Sequence, residues 1–211
     1  SKKLFLLDAY ALIYRGYYAF IKNPRINSKG TDTSAILGFM NSLLEIIRTQ
    51  NPDYLAVAFD KGGSITRSKM FTEYKSNRDK TPEPILVAIP YIKDILSAMK
   101  IPILEKEGYE ADDVIGTVAK DAENNNFKVF MVTPDKDFAQ LVSDNVFLCK
   151  PARMGNSMEI WGVNEVKEKF EVEDPEQVID YLGMMGDSVD NIPGLPGVGA
   201  VSYTHLRAHE T

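Results

Sequence analysis

Histidine is missing from the first 204 residues of this 211-residue chain; His205 and His209 are its only two. A serine or cysteine nucleophile activated by histidine therefore has no base in the main body. Cysteine is nearly absent as well. Cys149 stands alone, which excludes a disulfide framework and a cysteine zinc cluster and leaves it the role of a small buried hydrophobe. No apolar run approaches the ~18 residues of a membrane helix. Lys2 and Lys3 precede a short apolar run that Asp8 ends, which is not a secretory pattern, and the expectation is a cytoplasmic protein. Net positive charge is lacking too: the total is −6 and the pI about 5.1, which taken alone argues against a nucleic-acid partner. Hydrophobic residues at 44% and charged residues at 26% exclude wholesale disorder. Any chemistry here must rest on carboxylates, lysines or metal ions.

The chain alternates strand-like and helix-like segments. Leu4–Leu7 and Tyr54–Phe59 are continuous apolar runs that end just before Asp8 and Asp60, and Phe127–Val132, interrupted only by Lys128, is followed by Thr133, Pro134 and Asp135. Such runs suit strands buried on both faces of a parallel sheet. Val146–Cys149 and Met158–Trp161 are weaker strand candidates. Ile36, Leu37, Met40, Leu43, Leu44 and Ile47 recur at helical spacing before Pro52, and Ala111–Asn124 reads as a second helix. Asp174-Pro175-Glu176-Gln177 is a helix start with the makings of a capping box. The expected fold is an α/β doubly wound, mostly parallel sheet with helices on both faces. No internal repeat or low-complexity tract is present.

In such sheets ligands bind beyond the carboxyl ends of the strands. Asp8, Asp60 and Asp135 lie there, and Asp137 follows Asp135 by two. Glu110, Asp112 and Asp113 cluster at a helix start. Asp187 and Asp190, three apart, would share one face of a helical turn. Singly, each acid reads as a surface group or a helix cap; the weight lies in the combination. Nine carboxylates meeting at one edge cannot all stay ionised without cations, and hard oxygen donors select Mg²⁺ or Mn²⁺. Two such ions would make a phosphodiester-cleaving site that needs no histidine. Taking these nine acids out of the count turns −6 into +3, so the acidity is concentrated in the candidate site. Residues 61–80 add Lys61, Arg67, Lys69, Lys75, Arg78 and Lys80 against Glu73 and Asp79.

Leu6-Leu7-Asp8, Ala58-Phe59-Asp60-Lys61-Gly62, Tyr74-Lys75-Ser76-Asn77-Arg78, Glu107–Asp113, Thr133-Pro134-Asp135-Lys136-Asp137 and Gly186–Gly194 occur in that order. Together they resemble the 5′–3′ exonuclease domain at the N-terminus of bacterial DNA polymerase I, a relative of flap endonucleases. The likeness runs over residues 2–199. It implies a PIN-like core over 1–183, a basic helical arch over 61–84 and the start of a helix-hairpin-helix motif over 184–199. It implies that Asp8, Asp60, Glu110 and Asp112 hold one metal ion and that Asp135, Asp137 and Asp187 hold a second, with Asp113 and Asp190 in support. Lys75 is then the active-site lysine, with Arg67 beside it. Arg78, Lys61, Tyr17, Gly197 and Gly199 contact DNA, a K⁺ ion sits at the glycine hairpin, and the remaining tyrosines of the first helix are core.

The implied reaction is Mg²⁺-dependent hydrolysis at 5′ single-strand/duplex junctions by a monomer fused to a polymerase, in replication and repair. Residues 200–211 depart from the family pattern and are expected to be foreign to the gene. Three rivals stand beside this reading. One is a fragment that binds metal and DNA weakly without turnover. Another is a PIN-type RNase, against which the basic segment and glycine hairpin count. The third is an unstable truncation that aggregates.

Overall fold

The computed structural model describes residues 1–151 and 158–198. Its centre is a six-stranded sheet in the order β3-β2-β1-β4-β5-β6. The strands are β1 (Lys3–Asp8), β2 (Tyr54–Ala58), β3 (Ile103–Leu104), β4 (Lys128–Val132), β5 (Val146–Lys150) and β6 (Glu159–Trp161). The first five are parallel and β6 is antiparallel to β5. Strands β2 and β3 extend to one side of β1 and β4–β6 to the other, so the winding reverses between β1 and β4.

Side chains alternate between two cores, as a sheet covered on both faces requires. Phe5, Leu7, Val57, Val132 and Cys149 face α1 (Ala9–Phe20), α2 (Ser34–Gln50) and α4 (Glu83–Ala98). Leu6, Ala56, Val129, Met131 and Leu148 face α5 (Ala111–Asn124), α6 (Val163–Phe170) and α7 (Val178–Met185). On the first face Phe5, Phe130 and Phe147 stack across three neighbouring strands, with ring centroids 4.6 and 5.1 Å apart. Helices α1 and α2 cross where Gly16 meets Gly38. A Cβ built on Gly38 would lie 2.2 Å from Gly16 Cα, so only glycine allows this approach.

In the basic segment after Asp60, α3 (Ile65–Met70) is helical and Thr72–Asn77 is a run of turns folded down onto the acids of the sheet edge. One expectation needs correction. Asp187 and Asp190 are not on a helical turn. Asp187 and Ile192 pair by mutual backbone hydrogen bonds of 2.9 and 2.7 Å, closing a tight turn that carries Asp190. Gly186, at φ +68°, opens it, and the close approach of Gly194 leaves no room for a side chain at either position. The Asp174 start holds: Asp174 accepts from Glu176 N, Gln177 Oε1 accepts from Glu173 N, and a short 3₁₀ turn runs on into α7.

Candidate active site

The β1/β4 reversal places the carboxyl ends of β1, β2 and β4 around one crevice, and the N-termini of α1, α5 and the 3₁₀ turn Lys136–Leu141 lie beside it. Each strand-end acid there accepts a helix N-terminal N–H. Asp8 accepts from Ala11 N (3.1 Å), Asp60 from Ala111 N (2.6 Å) and Asp135 from Asp137 N (2.9 Å). These N-termini supply positive potential where the carboxylates crowd. Thr133, fully buried, donates its hydroxyl to Asp8 Oδ2 (3.0 Å).

A cleft of about 660 Å³ is lined by Asp8, Asp60, Glu110, Asp112 and Asp135 together with Tyr10, Tyr14, Lys75 and Arg78. A second, of about 500 Å³, shares Glu110 and Asp112 and adds Arg67, Tyr74, Asp113, Asp137 and Asp190. Eight of the nine expected acids thus line two adjoining clefts. The ninth, Asp187, is close enough to Asp137 to raise the latter's pKa.

Burial and mutual repulsion set the electrostatics. Asp112 is pushed up to about 8, by burial first and then by Asp8, Asp135 and Asp60. Asp8 rises to about 6, chiefly through burial, and Asp137 to about 6 through burial and the charges of Asp135 and Asp187. Asp60 is raised as well, again by burial first. All these donors are hard oxygens, which suit Mg²⁺ or Mn²⁺ far better than a thiophilic metal. Among the described residues, however, no three acids by themselves close round a single ion.

The basic segment completes the site by ion pairing. Lys75 Nζ lies 2.6 Å from Glu110 Oε1 and 3.6 Å from Asp190 Oδ2. Burial opposes its charge, but Glu110, Tyr74 and Asp190 outweigh that and raise its pKa. Arg78 pairs with Asp190. Tyr74 donates its hydroxyl to Glu110 Oε2 (2.9 Å), and burial together with that bond pushes its pKa up to about 12.

Several expected roles are placed differently. Arg67 forks Asp113 through two bonds of 2.8 and 2.7 Å and adds Glu110 Oε2 at 2.9 Å. Asp113, which also accepts from Glu110 N, thus has both oxygens committed. The pair is a bidentate tie between α3 and α5, in which both Asp113 oxygens are held by Arg67. Lys61 pairs with Glu105 at 3.3 Å. Tyr17 packs against the α1/α2 core and edge-on to Tyr18; Tyr10 and Tyr14 line the cleft instead. Gly197 has φ +78° and open space around it, while Gly199 and the 200–211 tail with His205 and His209 lie outside the described residues. Sequence reasoning missed Tyr74 and Thr133 as site residues. Their only signal was position, next to Lys75 and at the end of β4.

Comparison with known proteins bears on this architecture. The family model described as 5′-3′ exonuclease, N-terminal resolvase-like domain, matches residues 3–171. The 5′-3′ exonuclease of Aquifex aeolicus is 43% identical over 198 residues, which are 94% of this chain and 66% of that protein. DNA polymerase I of Bacillus subtilis is 42% identical over 199 residues, 94% of this chain and 22% of that protein. The chain thus spans just under two thirds of the first relative's length and less than a quarter of the second's. Among solved structures, T5 5′-exonuclease with bound zinc ions superposes with a TM-score of 0.78 at 25% identity, covering 98% of this chain and 75% of that one. The catalytic core of Rad2 in complex with DNA shares the fold alone, with a TM-score of 0.61 and 19% identity over 99% of this chain and 62% of that one. Among the described residues no helix is long and apolar enough to cross a membrane. With a family match running from the first strand through the sixth helix, the chain belongs to the 5′-3′ exonucleases, in their N-terminal resolvase-like domain.

Proposed function

We propose that this chain is the catalytic part of a divalent-metal-dependent 5′ nuclease that hydrolyses DNA at 5′ single-strand/duplex junctions. We further propose residues 1–183 as its core and 184–199 as the start of a duplex-binding hairpin with a K⁺ site. It acts in the cytoplasm as a monomer, fused to a polymerase in the parent protein. The observation that carries this reading is the 660 Å³ cleft, in which Asp8, Asp60, Glu110, Asp112 and Asp135, brought together from three strand ends and the start of α5, line one space with Lys75 and Arg78.

The donor chemistry fits Mg²⁺, with Mn²⁺ able to substitute. Asp8, Asp60, Asp112 and Glu110 would hold one ion, and Asp135, Asp137 and Asp187 a second. Bound there, the ions would supply Lewis acidity and offset charge on the scissile phosphate. The chain's own residues do the rest. Lys75 and Arg78 bring fixed positive charge to the phosphate oxygens, where negative charge grows as the water oxygen adds to phosphorus. The phosphorus–O3′ bond breaks, leaving a 5′-phosphate and a 3′-hydroxyl. Tyr74 keeps Glu110 oriented when Lys75 turns toward substrate. Tyr10 and Tyr14 offer faces on which a nucleobase stacks. Recognition rests on backbone charge and shape, with the basic segment over the entrance.

The test is cleavage of a labelled 5′-flap DNA with Mg²⁺ or Mn²⁺, against EDTA and Asp135→Asn controls. Metal-dependent cuts at the junction, lost in the variant, are expected. No cuts from a folded protein that still binds flap DNA would favour the binding-only reading. Cuts confined to an RNA flap would favour the RNase.

A further inference from the structure

We propose that the Asp187–Ile192 turn is a latch for the basic segment, and that Asn191 and Asn77 are positioning residues that hold Lys75 in the active site. The consequence for catalysis rests on the nuclease reading; the latch itself does not.

The contacts join segments more than a hundred residues apart. Asn191 Nδ2 donates to Glu73 O (2.9 Å) and Ser76 Oγ (3.2 Å). Asn77 Nδ2 donates to Ser188 O (2.8 Å), and Lys75 N donates to Asp190 O (2.9 Å). These bonds bracket Lys75 from both sides. Lys75 and Asn191 both adopt the left-handed conformation, at φ +56° and +58°. Non-glycine residues are strained there, so the surrounding bonds must hold them. The turn is a stiff partner: its ends pair through the backbone, and Asp187 accepts from Val189 N at 2.8 Å.

Charge already ties the two segments, through Lys75 and Arg78 to Asp190. Those pairs must loosen when the cations turn to a phosphate. The amide-to-carbonyl bonds carry no net charge and survive that exchange. They keep the backbone of residues 73–78 in place while the Lys75 side chain changes partner. Asn191 and Asn77 thus act through Lys75 and need not touch DNA.

Two substitutions at Asn191 separate the latch from a folding defect. Asn191→Gly keeps the left-handed backbone and removes the amide. Asn191→Asp keeps the shape but sets an acceptor against Glu73 O. In the full chain without DNA or metal, hydrogen exchange of residues 72–78 should accelerate roughly tenfold or more in both, with a further rise in the Asn77→Ala double variant. Exchange in α5 and β4 should stay unchanged. On flap DNA, kcat should fall about tenfold or more with KM and the Mg²⁺ half-saturation near those of the unmodified chain. Unchanged exchange at 72–78 would overturn the latch. Faster exchange with unchanged kcat would overturn the positioning role. An unmodified chain that fails to cleave would sink the nuclease reading, and the exchange result would still decide the latch.

Discussion

Replacing Asp112 by asparagine should make the metal-free protein more stable while removing its response to metal. Asp112 carries the largest upward shift among the site acids, to about 8 from an ordinary 3.8, because it is buried among Asp8, Asp60 and Asp135. The folded state therefore binds the Asp112 proton more tightly than the unfolded chain does. The stability that this proton confers is present below the unfolded pKa and drains away as pH rises from about 4 to 8. Near pH 7 the full linkage corresponds to about 4 kcal/mol. Relaxation of the other acids and counterions would absorb part of it, so a gain of about 2–4 kcal/mol is expected for Asp112→Asn. For a chain of this size that is roughly 4–16 °C in Tm at neutral pH, shrinking to almost nothing near pH 4. Millimolar Mg²⁺ should raise the Tm of the unmodified protein, since a ligand bound only by the folded state stabilises it. The variant should show little of that rise. Thermal melts across pH, with and without Mg²⁺, measure both effects. A metal-free variant that melts at or below the unmodified protein at neutral pH, or keeps its full Mg²⁺ response, would refute the account of a site stressed by its own charge.

Three further outcomes follow from the same geometry. Lys75→Ala should lower single-turnover cleavage by about 10²–10³ while the flap Kd moves only a few-fold, since fixed charge acts on the transition state; a loss confined to affinity would count against it. Thr133→Val removes the hydroxyl that Asp8 Oδ2 accepts from. The Asp8 pKa should then climb further above 6 and the Mg²⁺ half-saturation should rise, both readable by titration; an unmoved carboxyl resonance in NMR would contradict this. Gly38→Ala places a methyl 2.2 Å from Gly16 Cα, backbone against backbone. Urea unfolding should show a loss of about 3 kcal/mol or more, and a loss under ~1 kcal/mol would mean that α1 and α2 separate easily.

Where the sequence was legible, local chemistry and the fold agreed. Three apolar runs stop shortly before an aspartate because a doubly wound sheet puts strand ends, helix starts and ligands at one edge. Ala111–Asn124 could be bounded at both ends, having acids in its first turn and asparagines after its last. Illegible features depend on distant partners. Strand β3 is only Ile103–Leu104 and exists because β2 offers it an edge. The basic segment lies flat because Glu110, Asp113 and Asp190 claim Lys75, Arg67 and Arg78, and no local pattern encodes that pairing. Tyr17, to which the resemblance pointed, lies about 12 Å along the α1 axis from the strand end, whereas Tyr10 and Tyr14 line the cleft.

For the acids, cap and ligand are not competing descriptions. Asp8, Asp60 and Asp135 each accept a helix N-terminal N–H and each line the cleft. A parallel strand followed by a helix directs both the last strand residue and the helix N-terminus at the same edge of the sheet. The N–H groups fix one carboxylate oxygen of each, and at Asp8 the buried Thr133 hydroxyl holds the other. The N–H groups also lend partial positive charge that lets several acids share the crevice. Asp113 shows the limit of this logic: it sits at the same helix start, yet Arg67 holds both its oxygens and only the tie between α3 and α5 remains. What separates a site acid from a structural one here is whether a cation from the basic segment already fills its second oxygen. Glu110 and Asp190 lie between the two kinds: Lys75 and Arg78 pair with them in this state, and under the proposed function those two cations would turn to a phosphate while Arg67 stays on Glu110.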